Sequence, residues 1–194
     1  MPIRVIINKL RKMLRIDSKS FPEISTARLC LRQLSPDDAP AIFALRTDPE
    51  VNQYLERPLL RRLEEAQDVI QSLNQGVANN SWIFWAIALK DNNQLIGTIC
   101  IWNISRINSS ADIGYELLPG YQGKGIMQEA LSQVLDFGFQ KMQLNKLQAF
   151  THKNNNKSLQ LLQKNGFSRD EQVEEQEHAG EKGLVVYSRE RLRR

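Results

Sequence analysis

The chain has 194 residues, 41% apolar and 25% charged, with a net charge of +4 and a pI of about 9.1. That length suits one domain with its own core, and the composition excludes a disordered, collagen-like or disulfide-stapled protein. The mild basic excess gathers at the two ends, in Arg4, Lys9, Arg11, Lys12 and Arg15 and in Arg191, Arg193 and Arg194, which is too little to predict a nucleic-acid partner.

In "MPIRVIINKLRKMLRI", Ile3, Ile6, Ile7, Leu10, Met13 and Leu14 recur at helical spacing with basic residues between them. The pattern predicts a basic amphipathic helix or extension over residues 1–20, ahead of a domain over 21–194. Charges interrupt the apolar run, so it is a poor secretory signal, and no run reaches membrane-spanning length. The helix would dock on its own domain or on a second copy in a homodimer, or lie on a membrane surface or acidic partner. An organelle transit peptide fits less well, because hydroxyl residues are missing before Ser18.

Residues 17–26 are polar, contain Pro22 and read as a linker. "RLCLRQL" alternates apolar and polar residues, as a half-buried strand does. Ser35 and Pro36 then open a helix, with Asp37 and Asp38 at its positive end and Ala41, Ile42, Ala44 and Leu45 on its apolar face. Asp48-Pro49 ends it, and "VNQYL" is a short element before Pro58. Residues 62–75 predict a second helix. "SWIFWAIAL" and "LIGTICIWNI" flank the turn "KDNNQ" and predict a hairpin. "ADIGYELL" is a further strand. A helix follows with Ile126, Ala130, Leu131, Val134, Leu135 and Phe139 inward. "KLQAFTH" is a strand, and a helix over 155–165 stops at Gly166. "VEEQEHAGEKGLVVYS" predicts a closing hairpin turning around Ala179 to Gly183. The sum is an α/β fold: a mixed, mostly antiparallel sheet of about seven strands with helices on both faces.

Cys30 and Cys100 both lie in apolar strand-like runs, and His152 and His178 stand alone. They predict buried thiols in a reducing, cytoplasmic setting and no metal site.

The chemistry concentrates between strand and helix, in "ELLPGYQGKGIMQEAL". The first amides of a helix lack intrahelical partners and carry the positive end of its dipole. Glycines let backbone approach a ligand with no Cβ between. Gly123 and Gly125 at the mouth of a helix, with Lys124 beside them, therefore predict a phosphate cradle. The P-loop pattern is absent, and the dinucleotide fingerprint fails at Gln128. Strand alternation puts Asp112, Gly114 and Glu116 on one face, so either carboxylate is a candidate base or only a structural group.

Three ordered segments resemble the GNAT N-acetyltransferases, in particular the ribosomal-protein N-terminal acetyltransferase branch of the RimJ/RimL type. "TARLCLRQLSPDDAPAIFAL" is similar to its opening and "ADIGYELLPGYQGKGIMQEAL" to its acetyl-CoA motif. "NNNKSLQLLQKNGF" is similar to its N-x-x-S-x-x-x-L-x-K-x-G-F segment, and "LVVYSR" to its last strand. The resemblance spans about residues 25–190. It implies that the backbone amides of Gln122, Gly123, Lys124, Gly125, Ile126 and Met127 hold the pyrophosphate of acetyl-CoA. Main-chain groups of Leu117 would bond the pantetheine arm, and Asn155 would meet it from the other side or simply cap its own helix. An amide near Tyr115 would face the acetyl oxygen. Many relatives carry a tyrosine as general acid where this chain has Leu162, which leaves Ser158 as the candidate acid. Asp112 stands where the branch is often acidic. Tyr54, Trp82 and Trp85 are candidates for an acceptor pocket, although core packing is the first use expected of the tryptophans. The implied activity is acetyl transfer to a primary amine, a protein N-terminal α-amine first, with a small amine or a silent acetyl-CoA-binding module as alternatives.

Overall fold

Leu29 and Leu31 are buried and Cys30 and Arg32 half-buried, the alternation expected of a strand covered more on one face than the other. That strand is the second of eight in one sheet of a computed structural model, which describes residues 21–177 and 183–192. The expected helix over residues 1–20 lies outside the described residues.

The strands are β1 (Ile24–Ser25), β2 (Leu29–Arg32), β3 (Ile83–Leu89), β4 (Leu95–Ser105), β5 (Ser110–Leu117), β6 (Lys146–His152), β7 (Ser168–Arg169) and β8 (Leu184–Glu190). Their order is β1-β2-β3-β4-β5-β6-β8-β7, and every neighbouring pair is antiparallel except β5–β6. The helices are α1 (Ala39–Thr47), α2 (Pro49–Asn52), α3 (Leu63–Ala78), α4 (Ile126–Asp136), α5 (Asn156–Lys164) and α6 (Glu171–Glu177). A 3-10 turn, Pro36–Asp38, precedes α1. It is fastened by Asp38, whose carboxylate accepts the Ser35 amide at 2.8 Å and two Arg32 N–H groups at 2.7 and 2.8 Å.

Each face of the sheet buries a different helix pair. Ile99, Ile101, Ile113 and Leu117 meet Ala130, Leu131, Val134 and Leu135 of α4 and Leu162 of α5. On the other face Ala86 and Leu95 pack with Ile42 and Leu45 of α1 and Ala66 and Ile70 of α3. A side chain of this size, fully buried, contributes about 1.5–3 kcal/mol, so the two cores hold the sheet from both sides.

The sheet differs from expectation at both ends. The supposed linker contributes β1, because Ile24 and Ser25 pair with Leu31 and Cys30. Phe21 packs edge-on against Trp85, whose indole N–H donates to Pro22 O at 2.7 Å. The closing hairpin is not formed as expected either. "EQVEEQE" is a run of good helix formers; it coils as α6 from Asp170, whose Oδ1 accepts the Val173 amide at 3.3 Å. β8 pairs instead with β6 and with β7. Residues 178–182, where that hairpin's turn was expected, lie outside the described residues.

Candidate active site

β5 runs beside β4 as far as the pair Gly97↔Leu117. Its parallel ladder with β6 ends much earlier, at Asp112↔Gln148, while β6 continues beside β8 to His152↔Leu184. Among the described residues, the edge of β5 from residue 113 to 117 therefore has no strand next to it. Main-chain groups along a strand turn alternately to its two sides. Leu118 N–H turns to β4, where it bonds Ile96 O at 2.9 Å, so the groups of Ile113, Tyr115 and Leu117 turn to the gap. This is where the resemblance expects Tyr115 and Leu117. One of those groups is already in use: Leu117 O accepts Gln122 Nε2 at 3.0 Å, leaving its second lone pair.

The glycine loop opens onto the same gap. After a 3-10 turn, Pro119–Tyr121, Gly123 and Gly125 both adopt φ of 72°, a left-handed backbone that costs other residues about 1–2 kcal/mol. Gly125 is the N-cap of α4 and offers no side chain to the first-turn amides. The amides of Ile126, Met127 and Gln128 have no intrahelical partner; Glu129 N–H makes the first such bond, to Gly125 O at 3.1 Å. A Cβ built on Gly123 would meet nothing within 4 Å. Free amides, a positive helix end and open space in front of them fit a diphosphate. Lys124 does not reach forward: its Nζ donates to Gly120 O at 2.7 Å and lies 5.7 Å from the Tyr121 ring centre. Gln122 is tied to α5, since Lys157 Nζ donates to its Oε1 at 2.8 Å and to Glu50 at 2.7 Å.

A clamp absent from the sequence reading holds this loop. Glu129, in the first turn of α4, accepts Thr26 Oγ1–H at 2.5 Å, the Arg28 amide at 3.0 Å and Arg28 Nε–H at 2.7 Å. Arg28 Nη1 then donates to Lys124 O at 3.0 Å. Burial alone would raise the Glu129 carboxyl, but the bonds from Thr26 and Arg28 outweigh it and hold the group below its usual range. Because the folded value is the lower one, this carboxylate stabilises the fold at neutral pH and the contribution is lost as pH falls through that value. Nothing in the local pattern pairs residues 26 and 28 with 129; only the sheet brings them together. Glu129→Gln weakens charge-assisted bonds worth roughly 1 kcal/mol. It should raise the Kd for acetyl-CoA about 3- to 10-fold with kcat at saturation little changed. Calorimetry and saturation kinetics check this, and an unchanged Kd overturns the clamp's role.

The candidate carboxylates do share a face, with registers Thr98↔Glu116, Cys100↔Gly114 and Trp102↔Asp112. Asp112 is 4% exposed and accepts Asn103 Nδ2–H at 2.8 Å. Glu116 accepts Thr98 Oγ1–H at 3.1 Å and pairs with Arg57 Nη2 at 2.6 Å. Arg57 Nε–H is held by Asn52 Oδ1 at 2.8 Å. Losing one partner of so buried a pair costs about 3–5 kcal/mol, so Glu116 anchors the loop between α2 and α3 to the sheet. Gly114 leaves room beside it, for a Cβ there would come within 3.3 Å of Cys100 Sγ. Burial pushes the Cys100 thiol up to about 12, which keeps it protonated.

Ser158 and Tyr115 meet across the gap. Their hydroxyl oxygens lie 2.8 Å apart, and either can donate. Burial pushes the Tyr115 phenol up to about 12, against the opposing bond from Ser158. The phenol therefore stays protonated at working pH. Asn155 is the N-cap of α5, its Oδ1 accepting the Ser158 amide at 3.2 Å, which orients the turn carrying Ser158. Leu162 is fully buried in the core. Tyr54 borders the gap, donating to Asn154 O at 3.2 Å and stacking on His152 with ring centres 5.3 Å apart. The two candidate tryptophans serve packing, the use expected first. Trp85 is in the core, and Trp82 packs on Gly76 and donates to Leu73 O at 2.9 Å. Trp102, which the sequence reading passed over, is 44% exposed on the Asp112 face. Among the described residues no cluster of three His, Cys, Asp or Glu is placed to hold a metal.

Comparison with known proteins agrees with this geometry. The model of the acetyltransferase (GNAT) domain family matches residues 28–168. The N-acetyltransferase YoaA of Bacillus subtilis (strain 168) is 34% identical over 77% of this chain and 85% of its own. The N-acetyltransferase p20 of Bacillus licheniformis is 31% identical over 87% and 95%. Among solved structures, a ribosomal-protein-serine acetyltransferase from Vibrio cholerae superposes with a TM-score of 0.73 at 23% identity, covering 88% of this chain and 98% of its own. RimL, the ribosomal L7/L12 α-N-protein acetyltransferase in complex with coenzyme A, superposes with a TM-score of 0.75 at 21% identity, over 87% and 98%. With a matching family model over most of its length, the same fold, and a glycine loop opening on a split between two parallel strands, the chain belongs to the GNAT acetyltransferase family.

Proposed function

We propose that the protein transfers an acetyl group from acetyl-CoA to the N-terminal α-amine of a protein, in the cytoplasm. The observation that carries the reading is the continuity of three features: the open cradle at Gly123 and Gly125, the unpaired edge of β5 from 113 to 117, and the Tyr115–Ser158 contact at 2.8 Å. When bound, acetyl-CoA supplies an activated acyl thioester. The amides from Gln122 to Met127 hold its pyrophosphate at the positive end of α4. The edge of β5 runs beside the pantetheine arm, with Leu117 contributing a main-chain bond and Asn155 facing it from α5. Tyr115 N–H stabilises the negative charge that develops on the acetyl oxygen. Ser158 gives a proton to the departing sulfur, and the Tyr115 phenol, donating to Ser158 Oγ, aims the serine proton away from itself. The α-amine must arrive uncharged; its ordinary pKa of about 8 makes that less demanding than for a lysine. Asp112, at a position that the resemblance marks as often acidic, is the candidate relay of the amine proton to water. Two free thiols, Cys30 and Cys100, suit a reducing compartment, and among the described residues no helix is long and apolar enough to cross a membrane.

The test is thiol release from acetyl-CoA with a panel of N-terminal peptides, polyamines, free amino acids and aminoglycosides, with mass spectrometry locating the acetyl group. Peptides acetylated on the α-amine are the expected result. Turnover with small amines alone overturns the acceptor assignment, and tight binding of acetyl-CoA with no turnover on any amine overturns the activity.

A further inference from the structure

The sheet face that carries Thr98, Cys100, Gly114 and Glu116 meets two arginines. Arg57 is engaged by Asn52 at 2.8 Å and Glu116 at 2.6 Å. Arg46 lies in the last turn of α1. Its Nε is buried without a hydrogen-bond partner among the described residues. It lies within electrostatic reach of Glu116, Arg57 and Cys100. Burial pulls its guanidinium down from the ordinary value, Glu116 opposing and Arg57 adding to the fall. Arg28, which borders the glycine loop, is paired with Glu129 at 2.7 Å.

A partly desolvated guanidinium with an orphaned N–H is costly unless something anionic completes it. The one carboxylate that acts on it, Glu116, is already held by Arg57, so the local balance is one positive charge in excess. Asp112 is four residues away along β5, at the far end of the face, and Asn103 occupies one of its oxygens. Glu116, the carboxylate within electrostatic reach of Arg46, is flanked in β5 by Tyr115 and Leu117, whose main-chain groups line the gap. A guanidinium fork recognises a carboxylate through two parallel bonds. Adjacent residues of an extended peptide are about 3.8 Å apart at Cα, so the side chain at position two of an acceptor peptide stands one such step from the reacting amine.

We infer that Arg46 is a specificity-determining residue that binds an acidic side chain next to the acetylated amine, so that preferred acceptors are protein N-termini with Glu or Asp at the second position. This rests on the proposed N-terminal acetylation.

The experiment uses the full chain and three peptides identical except for Glu, Gln or Lys at position two. Wild-type kcat/KM should favour Glu over Gln by roughly 10-fold or more, as expected of a charge-assisted bond, with Lys poorest. In Arg46→Gln the Glu/Gln ratio should fall to within about twofold, and Arg46→Lys should recover part of it. Thermal melting separates a structural role: losing an unpaired, desolvated charge should leave Tm unchanged or higher. Peptides acetylated without a Glu preference, a preference that survives Arg46→Gln, or a lowered Tm with unaltered selectivity overturns the inference and leaves N-terminal acetylation standing. Peptides left unacetylated while free glutamate or aspartate is turned over in an Arg46-dependent way would assign the anion to an α-carboxylate, overturning the peptide acceptor and this inference with it.

Discussion

Glutamate in place of Gly123 should abolish measurable acetyl-CoA binding while the domain stays folded. Two effects act together. At φ of 72° a residue with a Cβ is strained by about 1–2 kcal/mol, which a domain stable by about 5–15 kcal/mol survives. The larger effect is at the site. The space in front of Gly123, where a Cβ meets nothing within 4 Å, is the space the phosphates require. A carboxylate there takes the positive helix end for itself and repels the diphosphate. Hydrogen bonds to charged groups are worth about 1.5–3 kcal/mol each. Loss of two of them raises Kd by roughly 10²- to 10⁴-fold. Gly123→Ala separates the causes, because it keeps the strain and adds no charge; its affinity should fall far less. Calorimetry with acetyl-CoA, alongside circular dichroism, measures both quantities. Unchanged affinity in folded Gly123→Glu would remove the cradle from the site.

The second large effect is expected at Ser158. Ser158→Ala should lower kcat roughly 10- to 100-fold and leave the Kd for acetyl-CoA nearly unchanged. General acids contribute about 10²- to 10⁴-fold, and a serine, with its high pKa, belongs at or below the bottom of that range. Tyr115→Phe removes the group that orients the serine proton, so its kcat should fall less, by about 3- to 10-fold. Groups acting as one unit are non-additive. The double variant should therefore be no slower than Ser158→Ala alone. If Ser158→Ala changes only Kd, the serine is a ligand of the pantetheine arm. If the two losses multiply, the 2.8 Å contact between the hydroxyls does not couple them in catalysis, and the departing sulfur is protonated by another route.

The features legible in the sequence are those set by neighbours along the chain. Gly123 and Gly125 before a run of helix formers announce a left-handed turn and a helix with free amides, because backbone sterics act over two or three residues. Alternation in "ADIGYELL" placed Asp112, Gly114 and Glu116 together, because a strand repeats every two residues. The apolar stripe of α4 followed from the 3.6-residue period. Segments poor in such signals were read wrongly. Two paired residues suffice for β1, which polar composition disguised, and α6 lacked an apolar stripe while lying next to a real strand. What only the tertiary structure decided are contacts between residues far apart in sequence. The sheet order puts Thr26 and Arg28 beside Glu129, and the end of the β5–β6 ladder opens the gap that Tyr115 and Ser158 span. Folding also commits Glu116 to Arg57 and leaves Arg46 Nε buried without a hydrogen-bond partner among the described residues. The physical reason is range. Dihedral preference and periodicity are local and are written in consecutive residues, whereas charge pairing and desolvation depend on which groups the sheet and its covering helices bring within a few ångströms.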